Sequence, residues 1–201
     1  MMDEYKTIAK TSEGLYKEKG SKFIALAYPV YSEEEVKSIL QGLRKEYYDA
    51  RHHCYSYRLG PEKLKYRIND DGEPSGSAGK PIHGQLLSFD LTDILIVVIR
   101  YFGGTKLGVA GLINAYRTSA REAIESNRII VKTVQIAIKI NFDYIQLNDV
   151  MKIIKELSPK IHSQEFEMDC NMHLSIREND SEELLARLLK VKNLKVLESE
   201  S

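Results

Sequence analysis

The pattern of apolar positions is clearest in the middle of the chain, where two periodicities follow one another. Residues 94–99 read I-L-I-V-V-I, an uninterrupted and mostly β-branched run. Such a run predicts a central strand buried on both faces. From Val109 to Ile124 the apolar positions recur at helical spacing, which predicts an amphipathic helix from Lys106 to about Asn127.

The junction between this strand and this helix combines two glycines with a helix start that carries no acid. Gly103 and Gly104 allow a sharp turn, and Thr105 is expected to cap the helix. Helix N-termini usually carry Asp or Glu because the macrodipole is positive there, yet this one carries Lys106. At Ser32, by contrast, S-E-E-E forms an acidic capping box. The sequence therefore predicts an electropositive site that an external anion such as phosphate could fill.

Alternating and turn-rich segments predict the remainder of the first half. Residues 13–29 predict a β-hairpin around residues 19–21, followed by a helix from Ser32 to about residue 47. Residues 51–58 and 64–68 predict a second pair of strands.

Residues 69–81, N-D-D-G-E-P-S-G-S-A-G-K-P, have the densest turn chemistry in the chain and predict a loop. The loop ends at Gly79, Lys80 and Pro81, and proline suits the first position of a helix. Lysine again lies at the helix start and no acid follows it in the first turn. This start is therefore a second candidate anion site.

Beyond residue 129 the pattern predicts a separate small domain. Alternation over residues 129–142 is followed by a predicted helix, two strands, a helix capped by Asp180 and a last strand at residues 194–197. That order, β-α-β-β-α-β, is the ferredoxin-like arrangement. We therefore predict an α+β protein of two domains, residues 1–129 and 130–201.

Composition limits the function without identifying it. The 201 residues are 43% hydrophobic, and 29 basic residues balance 29 acidic ones, so bulk charge excludes a generally basic protein that coats nucleic acid. No run is long enough to cross a membrane and no apolar signal segment begins the chain, so the cytoplasm is the expected location. Cys54 and Cys170 lie far apart without metal-ligand spacing, and neither a metal nor a cofactor is expected.

Two interpretations of the glycine-rich segments remain open. In the first, Lys80, Arg100, Lys106 and Arg117 contact phosphate or an RNA backbone, and the glycines permit close approach. In the second, the glycines only allow tight packing and the lysines are solvated. Nucleotide hydrolysis is not predicted, because neither segment fits the Walker pattern or G-x-G-x-x-G.

A cleft beside the loop is a further possibility. Its candidate residues are Glu73, Ser75, Ser77, His83 and Cys54. Cys54 with His83 could form a nucleophilic dyad and Glu73 could act as an acid or base, although acids in a glycine-rich loop are usually turn formers. Tyrosines 55, 57 and 66 on adjacent strands could stack bases or could simply be core residues.

Two segments together resemble a known family. E-P-S-G-S-A-G-K-P at residues 73–81 and R-Y-F-G-G-T-K-L-G at residues 100–108, followed by Gly111-Leu112 and Ala115-Tyr116, are similar to motifs of the IMPACT family. The sequence departs from that pattern at Asn114, where arginine is usual, and at His83, where an aliphatic residue is usual.

The resemblance implies an N-terminal βαβ domain of the type found in ribosomal small-subunit proteins and elongation factor G domain four. It implies a C-terminal domain like elongation factor G domain five. It also implies a link to translation, since eukaryotic members regulate the starvation-response kinase pathway by competing for its ribosome-bound activator. Bacterial members have no firmly assigned activity.

Together these observations predict a cytoplasmic, non-enzymatic protein that binds RNA or a ribosome-associated partner and regulates translation. An enzyme acting on a small phosphorylated or peptide substrate in the cleft is the alternative. A third hypothesis is a protein-interaction module. The sequence leaves the oligomeric state open.

Overall fold

The computed structural model describes residues 3–200, and it shows a mixed α/β protein, as predicted. Residues 1, 2 and 201, which belong to the predicted domain spans, lie outside the described residues. The chain forms two compact units. One is Tyr5–Lys132, and the other comprises the described residues of Met1–Glu4 and Thr133–Ser201.

The unit Tyr5–Lys132 is built on a five-stranded antiparallel sheet in the order β2-β3-β6-β4-β5. The predicted strand at residues 94–99 is central in it, as expected. The elements are β1 Glu4–Ile8, β2 Ser12–Glu18, β3 Ser21–Pro29, α1 Glu33–Glu46, β4 His52–Leu59, β5 Lys65–Asn69, α2 Gly79–Ser88, β6 Ile94–Tyr101, α3 Gly108–Glu125 and β7 Ile129–Thr133. Strands β1 and β7 form a separate two-stranded sheet.

Helices cover both faces of the five-stranded sheet, which explains the uninterrupted apolar run of β6. Ile94, Ile96 and Val98 pack in the core that includes Ile82 of α2 and Leu112 of α3. The alternate residues 95, 97 and 99 pack in a second core with α1. Because successive side chains of a strand point to opposite faces, a strand between two helical layers needs apolar residues at every position.

The second unit has a four-stranded antiparallel sheet in the order β11-β8-β10-β9. Its elements are β8 Gln135–Asp143, a short 3-10 helix Tyr144–Gln146, α4 Leu147–Leu157, β9 Lys160–Phe166, β10 Asp169–Arg177, α5 Glu178–Leu188 and β11 Lys195–Glu200. Apolar residues of β8 and β10, such as Ile140 and Leu174, share a core with Val150 of α4 and Leu184 of α5. The predicted cap at Asp180 is wrong, because α5 already begins at Glu178 and Asp180 lies in its first turn.

Candidate functional site

The candidate site forms where β6 ends, in a row of side chains set by strand register. Arg100 of β6 is paired with Phe23 of β3 on one side and with His52 of β4 on the other. Arg100 follows the β6 residues that face α2 and α3, and its guanidinium lies 5.4 Å from the centroid of the Phe23 ring. Sheet pairing therefore brings together three residues from separate parts of the chain.

A buried carboxylate joins this row to the glycine-rich loop and to α3. Arg100 Nη1 donates to Glu73 Oε1 at 2.5 Å, and the two side chains are only 8% and 4% exposed. The Tyr116 hydroxyl donates to the same oxygen at 2.9 Å, and His52 Nε2 lies 3.9 Å away. Glu73 is therefore a structural counter-ion for Arg100, and the predicted phosphate contact by Arg100 must share the guanidinium with this carboxylate.

Cys54 and His83 do not form the nucleophilic dyad proposed from the sequence. Cys54 Sγ lies 3.0 Å from the carbonyl oxygen of Asp70 and 3.3 Å from the Tyr116 hydroxyl, and burial raises the pKa of this thiol. His83 Nδ1 lies 2.9 Å from Ser56 Oγ instead. The Cys54 thiol is therefore enclosed and protonated, whereas a nucleophilic cysteine needs an accessible thiolate.

The predicted strip of three tyrosines is also divided by the sheet. Tyr55 and Tyr57 are buried in the core on the α1 side. Tyr66 is exposed and stacks on the His83 ring of α2, with ring centroids 4.9 Å apart. Since these residues lie on opposite faces, they cannot stack successive bases.

The second predicted anion site, at the start of α2, is filled by the chain's own Asp70. The carboxylate of Asp70 accepts hydrogen bonds from the backbone N–H groups of Gly76, Ala78 and Gly79, at 2.8, 3.1 and 2.8 Å. Pro81 is the third helical residue rather than the first, and the exposed Lys80 follows the capped turn. The prediction of an uncompensated start was wrong here because the compensating acid precedes the helix by nine residues.

Other polar residues of the loop also bond within the chain. The Asp71 carboxylate accepts from the His53 N–H and from Arg44 Nη2, both at 2.7 Å. Ser77 is buried and donates to the Pro74 carbonyl oxygen at 2.6 Å, whereas Ser75 is exposed. The loop is thus held in one conformation by its own acids.

The start of α3 has no acid in its first turn, as the sequence predicts, although the residue at the cap position differs. The helix begins at Gly108 with Leu107 at the cap position, without a side-chain cap or an acid in its first turn. Thr105 is therefore not the cap, and it lies with Lys106 in the exposed segment before the helix. The first N–H groups of a helix have no partner within it, and among the described residues no side chain caps those of α3.

Gly103 and Gly104, which precede α3, are each required for a different structural reason. A Cβ on Gly103 would lie 1.9 Å from the backbone carbon of Gly20, so only glycine lets this segment touch the β2–β3 turn. The Gly103 N–H also donates to Ser21 Oγ at 3.1 Å. Gly104 has a φ of +82°, a left-handed conformation that glycine adopts without a steric penalty. Both residues thus fix the path of the chain into α3.

A cleft of about 470 Å³ opens at the start of α3. Its basic lining residues are Arg51, His52, Arg100 and Lys106, and its apolar ones include Phe102 and Val109. Arg100 is 6% exposed, and its Nε atom is buried without a hydrogen-bond partner in the described part of the chain. The lining of the cleft therefore combines basic side chains, a helix N-terminus, apolar side chains and the buried carboxylate of Glu73.

The structure divides the four basic residues predicted to bind anions between two depressions, and the predicted Gly103, Gly104 and Thr105 are not among the residues that line either one. Arg100 and Lys106 line the larger cleft, whereas Lys80 and Arg117 line a smaller depression of about 280 Å³ with Gly76 and Ile113. Of the five residues predicted for a catalytic cleft, only Glu73 is among the described residues that line the larger one. Among the residues that the structure describes, no cluster of three potential metal ligands is found and no helix is long and apolar enough to span a membrane.

Sequence reasoning missed the cleft residues Arg51, His52 and Phe102, and it named Tyr116 only as part of the family motif. The positions of Arg51 and His52 depend on the pairing of β4 with β6, which brings His52 beside Arg100 although the two residues are far apart in the sequence. Phe102 lay inside the recognised R-Y-F-G-G motif. That motif could have indicated a role for Phe102, because it places this aromatic residue between Arg100 and the two glycines.

Comparison with known proteins identifies the family. The Impact N-terminal domain profile matches residues 19–124, which contain both glycine-rich segments. The chain belongs to the IMPACT family. An IMPACT family member from Haemophilus influenzae is 32% identical over 172 residues, which cover 85% of this chain and 84% of that protein.

Two further relatives extend this comparison. The IMPACT family member YigZ of Escherichia coli is 32% identical over 151 residues, which cover 74% of each chain. A crystal structure of a hypothetical protein, 27% identical, superposes with a TM-score of 0.76 and covers 100% of both chains. The similarity therefore extends beyond the segment that the family profile matches.

Proposed function

We propose that this IMPACT-family protein binds RNA in the cleft at the start of α3 and thereby regulates translation. One observation supports the proposal most directly: the uncapped, acid-free start of an 18-residue helix lies in a cleft that Arg51, Arg100 and Lys106 also line. Phosphate oxygens would accept hydrogen bonds from the free helix N–H groups and from the basic side chains.

The chain's zero net charge makes the proposed binding local. Screening by physiological salt reduces the attraction between exposed charges that lie more than about 8 Å apart. Only phosphates close to the cleft would then contribute. We therefore expect modest affinity for RNA. The decrease of that affinity with rising salt should be shallow, because its slope is proportional to the number of phosphates contacted.

The finer architecture belongs to the same proposal. The second unit's element order β-α-β-β-α-β and its sheet order β11-β8-β10-β9 support a ferredoxin-like domain resembling elongation factor G domain five. We propose that Tyr5–Lys132 corresponds to the domain-four-like part, and that the protein acts in the cytoplasm near the ribosome. A link to the stress response would follow from the family resemblance.

Fluorescence anisotropy with a labelled, unstructured RNA at low salt tests the proposal. Lys106→Glu is expected to weaken binding at least about tenfold, because charge reversal replaces attraction to phosphate with repulsion and a tenfold loss is about 1.4 kcal/mol. Lys37→Glu is the matched control, since Lys37 is an exposed residue of α1, which packs on the opposite face of the sheet.

Two results would contradict RNA binding in this cleft. One is the absence of measurable binding by the unmodified protein at low salt, which would favour a ribosome-associated protein as the partner. The other is an equal affinity of Lys106→Glu and Lys37→Glu for RNA, which would show that RNA binds outside the cleft.

A further inference from the structure

We infer that the cleft takes an unpaired nucleotide, with its base stacked on Phe102 and its phosphate at the start of α3. This inference rests on the proposed function and specifies the ligand as single-stranded RNA. The inference is supported by the cleft residues that a bound phosphate would not contact. Phe102, Val109 and Leu112 give the cleft an apolar lining that a phosphate group alone would leave uncovered.

Phe102 has the exposure and the support that a stacking platform requires. Its side chain is 43% exposed although it lines a cleft. The Arg100 guanidinium lies 5.7 Å from the centroid of its ring and 5.4 Å from that of Phe23. A cation held between two aromatic rings stabilises their positions. Phe102 is thus supported from inside the protein while part of its ring remains open.

The backbone around Phe102 is fixed as well. Phe102 directly follows β6, which is hydrogen-bonded to strands on both sides, and Gly103 directly after it packs on the Gly20–Ser21 turn. An aromatic residue on a rigid element loses little conformational entropy when a ligand binds, which favours affinity. The ring is therefore preorganised rather than placed on a free loop.

The size and polarity of the cleft select among possible ligands. A volume of about 470 Å³ is within the range of small-ligand sites, which is roughly 300–1,000 Å³. Bases in a duplex are stacked on one another, so only an unpaired base could reach the Phe102 ring. An apolar peptide side chain could also cover Phe102, but it would leave Arg51, Lys106 and the helix N–H groups without an anionic partner.

Two RNA strands separate base stacking from phosphate binding in the unmodified protein. One is a short oligoadenylate, and the other is an abasic strand with the same number of phosphates. We expect the protein to bind the oligoadenylate at least about fivefold more tightly, because stacking of a base on an aromatic ring contributes measurable affinity. Equal affinity for the two strands would overturn the stacking inference while the phosphate proposal stood. Failure of both strands to bind would overturn both.

Three variants locate the effect. Phe102→Leu keeps an apolar side chain without the ring and should abolish the difference between the two strands, whereas Phe102→Trp should preserve it. Lys106→Glu should weaken the binding of both strands. If Phe102→Leu, folded according to its circular dichroism, still preferred the oligoadenylate fivefold, Phe102 would not be the platform.

Discussion

At the scale of single residues, the buried pair of Arg100 and Glu73 shows how an arginine of the cleft lining is held in place. Both side chains are at least nine-tenths buried, and Tyr116 donates a further hydrogen bond to the carboxylate. Removing one partner of such a pair leaves the other charge desolvated and uncompensated. The pair therefore constrains the cleft floor whether or not a ligand is bound.

Arg100→Met should lower the free energy of unfolding by about 3–5 kcal/mol, because Glu73 would remain buried without its counter-ion. The double variant Glu73→Gln/Arg100→Met should recover part of that loss, since no buried charge would be left unpaired. Urea denaturation of the single and double variants measures both changes. If the loss of unfolding free energy in the double variant equalled the sum of the losses in the two single variants, Arg100 and Glu73 would not be coupled.

His83 should make stability depend on pH. Burial, with a smaller effect of Arg58, lowers the pKa of His83, so the folded protein favours the neutral ring. The unfolded chain binds a proton near pH 6.5, so stability is lost as pH falls below about 6.5. Burial lowers the pKa of His53 as well, and its contribution has the same sign.

We therefore expect His83→Leu to lose less stability than the unmodified protein between about pH 7.5 and pH 5.5. Urea denaturation at the two pH values measures the loss for each protein. His53 is present in both proteins, so the difference between them reports His83 alone. Equal losses would show that protonation of His83 is not linked to unfolding.

At the scale of elements, the three helices of Tyr5–Lys132 begin in three different ways. Ser32 caps α1 as predicted, because its hydroxyl accepts a hydrogen bond from the Glu35 N–H at 3.1 Å. The Glu35 carboxylate in turn accepts a hydrogen bond from the Tyr31 N–H. Asp70 caps α2 from the preceding loop, and α3 has no side-chain cap. The cap of α1 was predictable because Ser32 directly precedes the helix. The cap of α2 was not, because Asp70 reaches the helix only through the folded loop.

Asp70→Ala should destabilise the protein by about 2 kcal/mol, at the upper end of the range for a lost helix cap, because three N–H groups lose their acceptor. Ser32→Ala is the matched control and should cost about 1 kcal/mol, because it removes the acceptor of one N–H group. Chemical denaturation compares the two. A smaller effect at Asp70 than at Ser32 would refute the capping role.

At the scale of the whole molecule, each compact unit has its own hydrophobic core. The unit Tyr5–Lys132 contains the five-stranded sheet, its three covering helices and all residues that line the candidate cleft. Because the chain has no net charge, any attraction of an anion must come from the local arrangement of its basic groups.

A fragment of residues 5–132 should therefore fold alone and bind RNA within about threefold of the full chain's affinity, because ordinary context effects are of that size and every proposed contact lies within it. Circular dichroism with thermal unfolding tests its folding, and anisotropy tests its binding. A folded fragment without RNA affinity would show that residues outside it contribute to the site.

The sequence by itself determined the elements whose periodicity or turn chemistry is local. These include the buried strand β6, the amphipathic helix α3 and the β2–β3 turn, where Lys19 and Gly20 both have positive φ. It also showed that the start of α3 carries no acid. It missed β1 (Glu4–Ile8), whose short alternating segment gives little signal before its partner β7 is known.

Tertiary structure decided which of these features form a site. Pairing between distant strands placed His52 beside Arg100, and the folded loop brought Glu73 to that arginine and Asp70 to the start of α2. The start of α2 is therefore compensated by Asp70, whereas no side chain of the described residues caps the start of α3. The physical reason is that a helix dipole and a lysine follow from local sequence, whereas a compensating carboxylate can come from any segment that the fold brings within hydrogen-bonding distance.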